Sequence, residues 1–340
     1  MPQEHLNNGL VLAGARVAMV AMVLLGGRAQ AEAPPSAPAT EHRVLPGETL
    51  WSIAEHYWGD SDLWRYLLRI NPIDDPRTLR PGMVLKLTSV RLEVTHLEGR
   101  AWRENAEHGR RPLAVGDTLE VGELLTTGPF AFVSLRLGDG SRMVLPSNTR
   151  IRLSTNEDTG GVLLELMSGG IESRVMPQHG DGHYQISTPA GVIGVRGTHF
   201  RVRAQRGGVT TSVLDGLVAL SGGSAAGQQV ADGEGLWLAG DGQVVRTPLL
   251  PAPVFQPTWR GIGDELFATV RRLPNAHGYR LQMSLDQDFG SLVKEQVSED
   301  GEFHLRGVKP GAYYLRLTAI DGYGIEGLPG KTVLFFRRPP

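Results

Sequence analysis

The 340-residue chain carries a formal net charge of −2, with 41% hydrophobic and 21% charged residues. That balance excludes a disordered chain and gives no electrostatic basis for binding nucleic acid. Cysteine is absent, which removes disulfides, thiolate metal sites, thiol catalysis and lipid attachment through an N-terminal cysteine. With 44 glycines and 22 prolines, many turns and short β-strands are expected.

At the N-terminus, Arg16 precedes an apolar run over 17–25, followed by Ala29-Gln30-Ala31 and Ala31-Glu32-Ala33. A charged residue, a short apolar core and small-x-small sites predict a signal peptide over 1–33, cut after Ala31 or Ala33. The run is shorter than the roughly 20 residues a spanning helix needs. No stable transmembrane span is therefore expected after cleavage, an uncleaved anchor being the alternative. Residues 34–41 are a polar, Pro-rich linker.

From His42 the chain changes character. Gly47 marks a turn, Glu48 or Thr49 can cap a helix, and Leu50, Ile53, Ala54 and Tyr57 then recur at helical spacing. A second helical run, Leu63 to Ile70, ends at Asn71-Pro72, and Pro81-Gly82 turns the chain into a strand from Val84 to Leu87. The motifs PGETLWSIA, INP and RPGMVLKL, in this order, resemble a LysM domain over residues 42–88. The resemblance implies a βααβ fold that binds glycans containing N-acetylglucosamine, chiefly peptidoglycan or chitin. Its groove would have Gly47, Glu48, Thr49 and Leu50 on one side and Pro72, Ile73 and Asp74 on the other. Leu50 and Asn71 read better as residues that hold the fold. Trp58 and Trp64 are candidates for stacking on sugar, although Trp64 reads better as helical core.

Residues 89–247 form a β-rich centre without helical periodicity. Predicted strands run over Phe130–Leu137, Arg142–Leu145, Thr149–Leu153, Val162–Met167 and Ile171–Val175. Turn signals separate them, Ser168-Gly169-Gly170 among them. Spacing of about ten residues suggests a sandwich or a solenoid-like roll, with the roll favoured by the stretch Thr188–Phe200. There Gly191, Gly194 and Gly197 recur every third residue, as where one backbone crosses another with no room for a Cβ. TPAGVIGVRGTHF resembles the signature of the FecR domain family, through Thr188, Pro189, Gly191, Gly194, Arg196, Gly197 and Thr198. The resemblance extends to Val115-Gly116-Asp117, Leu124–Gly128, Asp139–Ser141, Asn148-Thr149 and Asp215-Gly216. These residues read as structural. Arg196 is expected to bond carbonyls or Asp215, a ligand clamp or a partner contact being its other reading. His179–His183 holds two histidines and a carboxylate, better explained as a hairpin loop than as a metal site. The arginines elsewhere are scattered and read as solvated surface.

Prolines between Pro248 and Pro253 mark a boundary, and alternating segments follow through 251–338. Pro310–Asp321 with Gly322–Gly327 resembles a fibronectin type III strand and turn, and either Tyr313 or Tyr314 is placed to make a corner hydrogen bond.

The whole is expected to be multidomain and mainly β, without metal, cofactor or catalytic constellation, and not an enzyme. The expected function is that of a periplasmic protein of a Gram-negative envelope, binding peptidoglycan through the LysM module and an unidentified envelope protein through the FecR-like domain. The alternative is a component of a FecR-type sensor system.

Overall fold

The computed structural model describes residues 41–337 except 59–60, 62–63, 65–66, 69–70, 72, 88–91, 106–107, 138–139, 156–161, 177–183, 196, 206, 223–225 and 263–264. Three β-containing parts follow one another. The proposed signal peptide, most of the Pro-rich linker, Pro72, Arg196 and the His179–His183 loop lie outside the described residues.

The first part pairs β1 (Glu41–Arg43) antiparallel with β2 (Val84–Lys86), around helix α1 (Leu50–Trp58). Trp64, Leu67 and Leu68 are also helical. Val44, Leu50, Ile53, Ala54, Leu67, Ile73, Leu85 and Leu87 form the core. Of these, Leu50, Ile53 and Ala54 are positions the helical spacing marked.

Among the described residues the second part has β3 (Leu92–Glu98), β4 (Ala101–Asn105), β5 (Gly109–Pro112), β6 (Thr118–Leu119), β7 (Leu124–Thr127), β8 (Phe132–Leu137), β9 (Arg142–Leu145) and β10 (Arg150–Thr155). The long β11 (Val162–Arg174) follows, then β12 (Tyr184–Thr188), β13 (Gly191–Val195), β14 (His199–Gln205), β15 (Gly208–Asp215), β16 (Leu217–Ser221), β17 (Gln229–Ala231), β18 (Glu234–Ala239) and β19 (Val244–Pro248). Pairing sorts them into two layers. One runs β6-β3-β8-β9-β11-β14-β15-β18-β19. The other runs β5-β4-β7-β10-β11-β12-β13-β16-β17. Inward side chains of both layers, Leu92 and Val133 from one and Leu125, Ile151 and Ile193 from the other, meet in one core. Hairpins enter the two layers alternately, so the domain is a sandwich whose strand order advances along it as in a roll.

One strand joins the layers. The first half of β11 pairs with β10 and β12, and its second half with β9 and β14. Its buried positions change phase, from Val162, Leu164 and Leu166 to Ile171 and Ser173. The change coincides with a register shift in the β10–β11 pairing. Ser168-Gly169-Gly170 is therefore not the turn its composition suggested but the bend of a single strand. Gly169 has φ +85°, and a Cβ there would lie 2.5 Å from Thr149 Cα and 2.8 Å from the Asn148 carbonyl oxygen. Thr149 Oγ1 accepts from Gly170 N at 3.1 Å, and Thr127 Oγ1 accepts from Thr149 N at 2.8 Å and donates to Pro146 O at 2.7 Å. The Thr-Thr and Asn-Thr motifs of the sequence thus clamp this bend.

The third part has a three-stranded sheet of β20 (Phe255–Ile262), β21 (Glu265–Val270) and β24 (Glu302–Leu305). A four-stranded sheet has the order β23 (Leu292–Ser298), β22 (Gly278–Ser284), β25 (Gly311–Ile320) and β26 (Val333–Arg337). Leu266, Ala268 and Phe303 of the first pack against Leu281, Met283, Leu315 and Leu317 of the second. Tyr313 Oη donates to Lys309 O at 2.9 Å, which assigns the corner to Tyr313 rather than Tyr314. Among the described residues no helix is long and apolar enough to cross a membrane.

Candidate functional site

In the first part, the segment Leu45–Leu50 is ordered by its own polar side chains. Thr49 caps α1 reciprocally with Ser52: Ser52 N donates to Thr49 Oγ1 at 3.1 Å, and Thr49 N donates to Ser52 Oγ at 2.9 Å. Glu48 Oε2 accepts from Leu45 N at 2.7 Å and from His42 Nε2 at 2.6 Å. The Leu45 N–H, outweighing the little desolvation there, holds the Glu48 carboxyl below its usual value. Gly47, at φ +89° with open space where a Cβ would stand, makes the turn.

Of the residues placed in the groove, Leu50 and Ile73 are buried at 0% and 5% exposure, while Glu48 is partly exposed and Asp74 is exposed. The two buried residues bring both groove segments onto one core, and what they can offer a ligand is backbone. Asn71, buried beside them, donates from Nδ2 to Leu67 O at 2.8 Å and accepts at Oδ1 from Lys86 N at 2.8 Å. It ties the second helical segment to β2. Asn71→Ala strands both backbone groups and is expected to lower the stability of this module by about 2–3 kcal/mol. Chemical denaturation of the chain, followed by Trp fluorescence, reads that loss. Sequence reading passed over Trp51, which is 41% exposed and packs at a tilt of 32° against half-buried Trp64, with ring centroids 4.4 Å apart.

The FecR-like signature is a hairpin followed by a crossing. Thr188 Oγ1 donates to Gly191 O at 2.7 Å across the Pro189-Ala190 turn. The chain then leaves β13 in one layer and enters β14 in the other through Gly197, at φ +63°. Nearby Gly216 returns the chain from β15 to β16, and a Cβ on it would stand 2.8 Å from Gly197 O. Thr198 Oγ1 closes the pair by donating to Leu217 O at 3.0 Å. Close approach is thus real at Gly197 and, through Gly222 O at 3.2 Å, at Gly191. It fails at Gly194, mid-strand in β13, where a Cβ would meet nothing nearer than Ala219 O at 3.8 Å. Three-residue spacing in a strand points successive residues to opposite faces, so the glycines cannot share one neighbour.

A buried ionic network lies where the second and third parts meet, and the sequence reading missed it. Glu172 of β11 takes a bidentate contact from Arg316 of β25, at 2.9 and 2.7 Å, and bonds from Arg201 Nε at 3.2 Å and His199 Nε2 at 3.1 Å. Glu326 accepts from Arg280 Nη1 at 3.0 Å and Thr318 Oγ1 at 2.6 Å, with Arg201 Nη1 3.6 Å away. Arg280 also reaches Glu295 at 2.8 Å through Nε, and Arg201 Nη1 donates to Gly327 O at 3.1 Å. Apolar contact surrounds the charges: Phe132 packs with Phe289 and Leu292, and the Arg316 guanidinium lies 4.3 Å from the Phe289 ring centroid. His96 donates to Leu292 O at 3.0 Å, and Ser134 Oγ to Gly290 O. Burial alone would raise the Glu326 carboxyl, but Arg201 and Arg280 hold it down to about 2. Glu172 is likewise held well below the usual range by Arg316 and Arg201 against its burial. Arg201, Arg280 and Arg316 are 4%, 4% and 6% exposed, so these arginines are core rather than solvated surface. Each sits among alternating apolar residues on the strand face that normally meets water. No signal within one strand reveals that a second domain covers that face.

Two family models match the chain: "LysM domain" over residues 42–88 and "FecR protein" over residues 123–219. No curated protein matches it. Among solved structures, a protein of Parabacteroides distasonis described as an anti-sigma factor matches at 20% identity and TM-score 0.33, over 37% of this chain and 59% of that one. A second structure with the same description matches at 19% identity. The chain therefore spans about three fifths of the length of those structures. The FN1–FN3 domains of chicken CNTN1 match at 12% identity and TM-score 0.24, over 73% of this chain and 98% of that one. The chain carries a LysM domain followed by a FecR domain, two domain types typical of extracytoplasmic proteins.

Proposed function

We propose that the chain is a non-enzymatic protein of the Gram-negative periplasm that holds peptidoglycan through its LysM domain and engages an envelope protein through its FecR domain. The LysM match over 42–88, on a module whose groove segments converge on one core, carries this reading. The glycan would lie along the Gly47–Thr49 backbone and the Asp74 segment, where polar groups beside apolar walls suit an N-acetyl group. The third domain is a fibronectin type III sandwich that stiffens the FecR domain. Its three- and four-stranded sheets and the Tyr313 corner support this. Export through a cleaved signal peptide over 1–33 places the protein with its ligand.

Sedimentation with purified peptidoglycan tests the tether. The mature chain is expected in the pellet and to be released by soluble N-acetylglucosamine oligomers, whereas a chain that stays in the supernatant overturns the assignment. The FecR match favours a second reading, a component of an envelope sensor system. Salt-resistant residence in the inner membrane, with crosslinking to a signalling protein, would favour it.

A further inference from the structure

Between the FecR domain and the C-terminal sandwich lies a cavity of about 10 Å³, lined in part by Arg201, Arg203, Arg280, Gln282, Glu172 and Glu326. Two of these lining residues carry a buried N–H group with no acceptor among the described residues, Arg201 Nη2 and Gln282 Nε2. Both residues are more than nine-tenths buried, at 4% and 1% exposure. The orientation of Gln282 is set, because its Oε1 accepts from Arg316 Nε at 3.0 Å and Nη2 at 2.6 Å. Turning the amide would set N–H against guanidinium, so Nε2 is held as a donor.

The carboxylates nearby do not fill this need. Both Glu172 oxygens are taken by Arg316, with Arg201 and His199, and both Glu326 oxygens by Arg280 and Thr318. The charges do not balance either, since Arg201, Arg203, Arg280 and Arg316 face Glu172, Glu295 and Glu326. In support, the Arg203 guanidinium is pushed below its usual value, by burial first and then by Arg280.

We infer that this cavity binds one small monovalent anion of halide type, held by Arg201 Nη2 and Gln282 Nε2 and balancing the surplus guanidinium. Its size admits one water molecule or one small ion. Water also fits, but it brings two protons of its own into a site already rich in donors. A halide accepts only, and it offsets the half-buried Arg203 charge beside the buried guanidinium groups. The site is built from both domains, so the anion acts as a rivet between them.

The test is thermal unfolding of the full chain at constant pH and ionic strength, with gluconate, too bulky for the cavity, replaced stepwise by chloride. The expected result is a saturating rise in Tm of about 2–4 °C, as for a ligand bound by the native state alone. Arg203→Gln, which removes the surplus charge, should cut the rise by at least half. A crystal soaked in bromide should show anomalous density in the cavity. A flat or linear chloride response overturns the proposal, as does bromide at surface positions only.

Discussion

Gly169→Val is expected to unfold the FecR domain, while Gly194→Val, in the most recognisable stretch of the sequence, leaves its melting temperature within about 2 °C. At Gly169 the backbone has φ +85° and the missing Cβ would press on the backbone of Asn148 and Thr149. A left-handed conformation costs a β-branched residue about 1–2 kcal/mol, and forced overpacking against backbone about 1–3 more. Because β11 belongs to both layers, local relaxation would tear the β10–β11 register, so the loss is expected at about 4 kcal/mol, much of the stability of an ordinary domain. At Gly194 a side chain has space on an extended strand, where valine is favoured. Circular dichroism melts of the two variants compare them directly, and equal melting temperatures would remove the seam at Gly169.

Glu172→Ala is expected to separate the C-terminal sandwich from the FecR domain. Removing this carboxylate leaves Arg316 and Arg201 buried beside each other, which typically costs about 3–5 kcal/mol. The wild-type chain should unfold the two domains together. The variant should show two transitions, and a protease should cut near Pro251–Val254. Acid should act on the same joint. Glu172 and Glu326 have folded-state pKa values below their ordinary 4.5, so the unfolded chain binds more protons than the folded one as pH falls. Their contribution is complete above about 4.5 and is lost toward pH 2, the value at which Glu326 is held. Domain separation followed by scattering from pH 6 to 2 checks the sign, and a joint that opens on raising pH would reverse it.

Much of this architecture was legible in short-range pattern. Helical spacing from Leu50 to Ala54 gave the LysM core, and apolar alternation placed Arg142–Leu145, Gly278–Ser284 and Glu302–Leu305 as strands. Sequence pattern failed where two segments far apart share a surface. Ser168-Gly169-Gly170 has turn composition, yet its meaning depends on Thr149 lying against it. Arg201, Arg280 and Arg316 occupy positions that alternation assigns to water, because Glu172 and Arg316 meet across 144 residues. For the groove, motif order identified the segments, but not that Leu50 and Ile73 turn inward and leave Trp51 exposed.

The alternation of hairpins between two layers also bears on how the domain assembles. The widest strand pairing in the FecR sandwich joins Leu92 to Leu137, and the later rows are added by neighbours nearer still in sequence. A chain delivered N-terminus first finds the partner of each new hairpin already in place. Pairing confined to neighbouring rows shortens the time that bare strand edges are exposed. The long-range contact from Glu172 to Arg316 is then expected to form last, when the final domain arrives to latch the finished stack.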